Sequence, residues 1–164
     1  MDSHQLAAQR FLNLIPPALP LDVLEQYGIR ASISQAEILS EHILLLTLFW
    51  IKDALNAGVT SEYGKMIWEE VIEGLKQVWQ EKFGFEHLTP IQIMEKVSPT
   101  VEGWKKSLGQ TYDPITLFSY ATTELETTGI LSSQQTGMVV ALFLDFVPVE
   151  EIGEVASAIE QGMA

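Results

Sequence analysis

A chain of 164 residues with 47% hydrophobic and 19% charged side chains has the length of one ordinary domain, and too much apolar content for a disordered segment. Area scaling buries roughly two-thirds of the unfolded surface at this size, so a core needs neither disulfide nor metal staple, and the chain has no cysteine to make one. Its 22 acidic residues against 9 basic ones give a net charge of −13, which a nucleic-acid backbone repels.

The opening MDSHQLAAQRFLNLIPPALP places Asp2 near its start and prolines where the apolar run of a secretory leader would sit, so a cytoplasmic protein is expected. The longest apolar stretches are Ile43 to Ile51, interrupted by Thr47, and Gly137 to Leu144. Both fall short of the ~20 residues that cross a bilayer. An anionic lipid surface attracts Lys and Arg, whereas these helices offer mostly Glu, and no membrane role is expected.

Helix punctuation divides the chain. Gly followed by an aliphatic or aromatic residue, the pattern of a left-handed helix stop, recurs at Gly28-Ile29, Gly58-Val59, Gly84-Phe85 and Gly129-Ile130. Thr89-Pro90, Ser98-Pro99 and Asp113-Pro114 read as helix starts, and Ser34 with Glu37 has capping-box spacing. The intervals predict helices over about 3–14, 20–27, 34–57, 61–83, 90–97, 99–108, 114–128, 132–146 and 148–161, and no strand. Helix 34–57 is apolar nearly all round and is expected at the centre, with 61–83 as its antiparallel neighbour across a short link. The expected fold is therefore an all-α, single-domain orthogonal or mixed bundle spanning residues 1–164, with Pro16, Pro17 and Pro20 bending the chain between its first two helices.

No catalytic or cofactor signature is present. The di-iron motif Glu-x-x-His needs Glu three residues before a histidine, and Met1, Leu39 and Gly84 stand there instead, ahead of His4, His42 and His87. Ser132 and Ser133 lack the Gly-x-Ser-x-Gly elbow, and no Gly-Lys-Ser/Thr phosphate loop exists. Glu69, Glu70 and Glu73 lie on a solvated helix face. Asp145 interrupts an apolar run, but it precedes Pro148 and is expected to surface at a helix corner. No catalytic residue, cofactor or metal is therefore assigned.

Two features remain. Trp68 and Trp79 lie eleven residues apart on one side of helix 61–83, and with Trp50 they form a candidate pocket for an apolar ligand or, more simply, part of the core. From Ser107 onward the chain contains no Lys, Arg or His, only acids, and Glu150, Glu151, Glu154 and Glu160 surround the apolar stripe Val149, Ile152, Ala156 and Ile159. An acidic face of this kind attracts a basic or partly apolar protein surface, and it also keeps an apolar chain in solution. The expected function is a non-catalytic adaptor, assembly factor or regulator, with homo-oligomerisation left open. The alternatives are a small-molecule module and, least supported, a carboxylate enzyme.

Overall fold

The computed structural model describes residues 2–85, 88–109 and 113–162, including all their side chains except those of Val101 and Lys105. Its longest helix, α3 (Ile33–Gly58), carries buried residues on every side, among them Leu39, Ile43, Leu44, Leu46, Leu48, Phe49 and Ile51. A helix with no polar side must be enclosed by others, and seven more helices complete an all-α bundle around it, with no strand among the described residues. They are α1 (Ser3–Leu14), α2 (Leu21–Gln26), α4 (Ser61–Lys82), α5 (Pro90–Leu108), α6 (Pro114–Thr127), α7 (Thr136–Phe146) and α8 (Val149–Glu160).

Packing departs from a simple hairpin series. Helices α2, α4, α5 and α8 touch α3, but α4 lies more extensively against α1 than against the α3 neighbour expected of it, and α6 pairs with α7. Gly74 allows the close approach of α1 and α4, because a Cβ there would run into the Leu12 side chain. The proline-bearing connector after α1 is tied at both sides, with Ala18 N–H donating to the Lys82 carbonyl at 3.1 Å and Leu19 N–H to buried Ser40 Oγ at 2.9 Å. Lys82 Nζ in turn donates to the Leu12 carbonyl at 3.2 Å, placing a cation on the last turn of α1. Partial burial holds the Lys82 ammonium below its usual lysine value.

Three of the four expected glycine stops adopt positive φ, at Gly28, Gly84 and Gly129. Ile29 and Ile130 N–H then reach back to the Leu24 and Leu125 carbonyls, closing the last turns of α2 and α6. Gly58 is a correction: it remains helical as the last residue of α3, and extended Val59 makes the exit, its N–H still bonded to the Leu55 carbonyl. A Cβ at Gly58 would stand 3.2 Å from Glu160 Oε2 of α8, the end of an exposed side chain that can move aside. The capping box of α3 uses Ser32 and Gln35, two residues upstream of the expected Ser34 and Glu37.

Ser98-Pro99 does not start a helix, and the expected pair 90–97 and 99–108 is one continuous α5 with Pro99 inside it. Proline removes one ladder N–H, but Glu95, Ser98 and Pro99 are all exposed, so water can serve the carbonyl left over. Helix α7 begins at Thr136 rather than near 132, because the Gln135 side chain folds into the preceding turn. Its Oε1 accepts from Ser132 N–H at 3.2 Å while its Nε2 donates to the Arg30 carbonyl.

Leu46 is fully buried in α3, whereas Glu73 of α4 has an exposed side chain paired only with Lys76 at 3.0 Å. Leu46→Ala is therefore expected to destabilise the fold by about 2–5 kcal/mol in urea melts. Glu73→Ala should cost about 0.5 kcal/mol or less. The opposite order would reverse the assignment of inner and outer faces.

Candidate functional site

Helix α8 lays Ile152, Val155, Ala156 and Ile159 into the core, against α3 and α1. Val149 is only half-buried, and Val155 belongs to the buried stripe in its place. With that stripe inward, the 3.6-residue period turns Glu150, Glu151, Glu154 and Glu160 outward, and all four are exposed. None takes part in an ion pair among the described residues. Four of the nine cations in the chain are engaged elsewhere: Lys76 on Glu73, Lys82 on α1, Lys96 on Glu41, and Lys52 over the Trp68 ring and on Ser98 Oγ.

At the start of α8 this acidic face meets apolar surface. A groove of about 420 Å³ runs along the α6–α7–α8 corner, floored by Phe118 and Val147 and walled by Pro114, Leu144, Pro148 and Val149. Asp145, Glu150 and Glu151 line the same groove. Leu144 and nearby Ile115 of α6 leave much of their side chains in water. Asp145 is exposed, as expected, and it has a partner that sequence reading did not find: Tyr27 Oη donates to its Oδ2 at 2.5 Å, joining the end of α7 to α2. That bond, followed by burial and the adjacent negative charge, holds the Tyr27 phenol above its ordinary value.

The three tryptophans are not gathered into one ring cluster. Trp79 is buried against Phe83 and Phe85, and its Nε1 donates to the Leu88 carbonyl at 3.2 Å. Trp50 is half-buried and meets Phe49 edge-on, with Phe49 also meeting Trp104. Trp68 is half-buried, with Lys52 Nζ 5.5 Å from its ring centre. Eleven residues of helix separate Trp68 and Trp79 by about 16 Å along the axis, too far to close one small pocket, although they share a side.

A second concavity lies where α3 faces the C-terminal half of α6. It is an open concavity of about 550 Å³ lined by Ile38, His42, Tyr120, Leu125 and Ile130 and by the exposed Thr123, Glu124, Thr127 and Thr128. His42 reaches it because Leu39 and Ile43 beside it are core residues, which fixes the rotation of α3 and brings the imidazole to a half-buried position. Its Nδ1 lies 2.9 Å from the Ile38 carbonyl, and since a carbonyl only accepts, Nδ1 carries the hydrogen. Burial is the largest influence on His42 and pushes its titration below the ordinary value, outweighing the Ile38 bond and the negative charge of Glu41 and Glu124. Glu41 itself is buried and bonded to Lys96 at 2.6 Å. Opposite His42, Glu124 Oε2 accepts from the indole of buried Trp104 at 3.1 Å.

Among the described residues no group of three or more His, Asp or Glu side chains has the arrangement of a metal site, and no helix is long and apolar enough to cross a membrane. His87 lies outside the described residues. Comparison with protein-family models, with curated proteins and with solved structures finds no match to this chain.

The burial of His42 has a pH signature. The unfolded chain protonates this residue at the ordinary value of 6.5 and the folded chain only at lower pH, so the unfolded state binds more protons between the two values. The stability that neutral His42 contributes is complete above the unfolded value and is lost as pH falls through the folded one. Urea midpoints measured from pH 7.5 down to 5.5 should therefore fall more steeply for the parent than for His42→Asn. Parallel curves would show that burial does not hold this imidazole neutral.

Proposed function

We propose that this is a cytosolic, non-catalytic interaction protein whose acidic α8 face and the adjoining α6–α7–α8 groove receive a basic, partly apolar segment of a partner protein. The observation that carries this reading is the juxtaposition of an apolar trough with Asp145, Glu150 and Glu151 on its lining, where no described Lys or Arg pairs with them. A short segment with one or two aliphatic side chains between lysines or arginines would bury its apolar part against Leu144, Val147 and Val149 while its cations meet the carboxylates. Glu154 and Glu160, farther along the same helix, extend the field that such a segment meets on approach.

Charge decides among occupants. A second copy of this chain would bring the same acidic face and the same net charge of −13, so self-association through this surface opposes its own electrostatics. Nucleic acid and anionic membrane are disfavoured for the same reason.

The test uses a fluorescent peptide with a leucine pair flanked by lysines, and a matched peptide flanked by glutamates. The lysine peptide should bind, with an association rate that falls as salt shortens the Debye length to about 8 Å at physiological ionic strength. The triple change Glu150→Lys, Glu151→Lys and Glu154→Lys should weaken that binding at least about tenfold while leaving the helical circular-dichroism spectrum intact, because all three side chains are exposed. Equal binding of the glutamate peptide, or a triple variant that binds like the parent, would reduce the acidic face to a solubility device.

A further inference from the structure

The α3–α6 cleft has a chemical character that the acidic groove does not share, and it follows from where each hydrogen goes. Thr123 Oγ1 donates to the Ser119 carbonyl at 2.9 Å, Thr127 Oγ1 to the Thr123 carbonyl at 2.9 Å, and Thr128 Oγ1 to the Glu124 carbonyl at 3.1 Å. Tyr120 Oη donates to Ser107 Oγ at 2.9 Å, and His42 Nδ1–H to the Ile38 carbonyl. Every hydroxyl and ring N–H on the lining is thus committed within the fold. What these side chains still offer is lone pairs: three threonine oxygens, the Tyr120 oxygen, His42 Nε2 and the carboxylate of Glu124.

The wall therefore accepts and does not donate, and it carries a negative charge fixed in place by Trp104. The last turn of α6, which supplies Thr127 and borders Thr128, adds the partial negative charge of a helix C-terminus. Ile38, Leu125 and Ile130 complete the lining with apolar surface. A carboxylate or phosphate ligand would find no donor among these side chains, and a purely apolar ligand would leave His42 Nε2 and the second Glu124 oxygen without a donor from the ligand.

We propose that the α3–α6 cleft is a binding site for a small organic cation, a primary amine on an apolar body, with the ammonium donating to Glu124 and His42 Nε2 and the body lying on Ile38, Leu125 and Ile130. The volume of about 550 Å³ lies within the range of small-ligand sites. This assignment is independent of the acidic groove, which sits at the opposite, N-terminal end of α6.

The experiment titrates the ¹⁵N-labelled full chain with hexylamine, hexanol and hexanoate, which share one tail and differ in the head group. Hexylamine should move the amide signals of His42, Thr123 and Thr127 along a saturable curve, hexanol should bind at least about tenfold more weakly, and hexanoate should produce no saturable change. Glu124→Gln keeps an oxygen for the Trp104 indole and removes the charge, so the Trp104 indole signal reports whether the wall is intact. With that signal in place, hexylamine affinity should fall about tenfold while hexanol affinity stays level. The assignment is overturned by hexanoate binding as well as the amine, by a Glu124→Gln protein that retains the parent's amine affinity, or by the absence of saturation at these three residues. Unsaturable shifts over the whole acidic surface would count against it too, since they are the mark of general charge attraction.

Discussion

Enclosure of α3 is the constraint on which the remaining features depend. A helix that buries Leu, Ile and Phe around its whole circumference cannot lie at a surface, and the other helices take positions that remove it from water. The cost of such a position falls on its polar residues, which are carried inward with the rest and must each find a partner there. Thr47 returns its hydroxyl to the Ile43 carbonyl at 2.7 Å, Ser40 accepts from the backbone of the proline connector, and Glu41 accepts from Lys96. These contacts also fix the sequence-distant segments that supply them, so the polar residues of α3 set the places of the connector and of α5. His42, one residue beyond Glu41, is turned toward the cleft by the same rotation, and burial lowers its titration.

The distribution of charge follows from the same packing. Helix α8 reaches α3 with its aliphatic stripe, which leaves its glutamates no direction but outward. Basic residues are few, and three of them join helices: Lys82 on the end of α1, Lys96 on Glu41 and Lys52 between Trp68 and Ser98. An acidic surface without local counter-charge is thus a consequence of having nine cations in the chain and using several of them to join helices. Such a surface self-repels, which favours solvation and leaves its potential available to a cation from outside.

How far the sequence could be read depends on the range of the physics involved. The glycine stops at Gly28, Gly84 and Gly129, the cap at Asp113 and three of the four residues of the inward stripe of α8 are local, set by residues within one or two turns, and they were legible. Ser98-Pro99 misled because the same dipeptide suits a helix start and an exposed helix interior, and only the continuity of α5 on both sides distinguishes them. Gly58 misled in a related way: its neighbours match a left-handed stop, but the helix runs through it and extended Val59 makes the exit. The cleft left still less trace. Glu124 alone is one acid among 22, and His42 lacks a ligand-spaced carboxylate on its own helix, so nothing within four residues marks either of them. Their meeting is a product of tertiary packing, and the Trp104 indole that orients Glu124 comes from a third helix.

The threonines of α6 were the part of the cleft's signal present in the sequence without being recognised. Thr122, Thr123 and Thr127 fall in a helix, with Thr128 at its C-cap, where β-branched residues have no propensity advantage, which invites an explanation beyond helix formation. In the helix each hydroxyl bonds a carbonyl four residues back, and that choice settles its hydrogen and turns the oxygen into an acceptor. Thr122 makes this bond in the core, where it removes a buried polar cost, and Thr123, Thr127 and Thr128 make it on the cleft, where it determines what the surface can recognise. Acceptor-only chemistry at one end of α6 and, at the other, carboxylates with which no described Lys or Arg pairs, select the same kind of visitor, a donor with positive charge. At the first end Glu124 and His42 line one concavity with Ile38, Leu125 and Ile130, which suits a single amine on an apolar body; at the second Asp145, Glu150 and Glu151 line a groove that adjoins the exposed Glu154 and Glu160 of the same helix, which suits a segment carrying several cations.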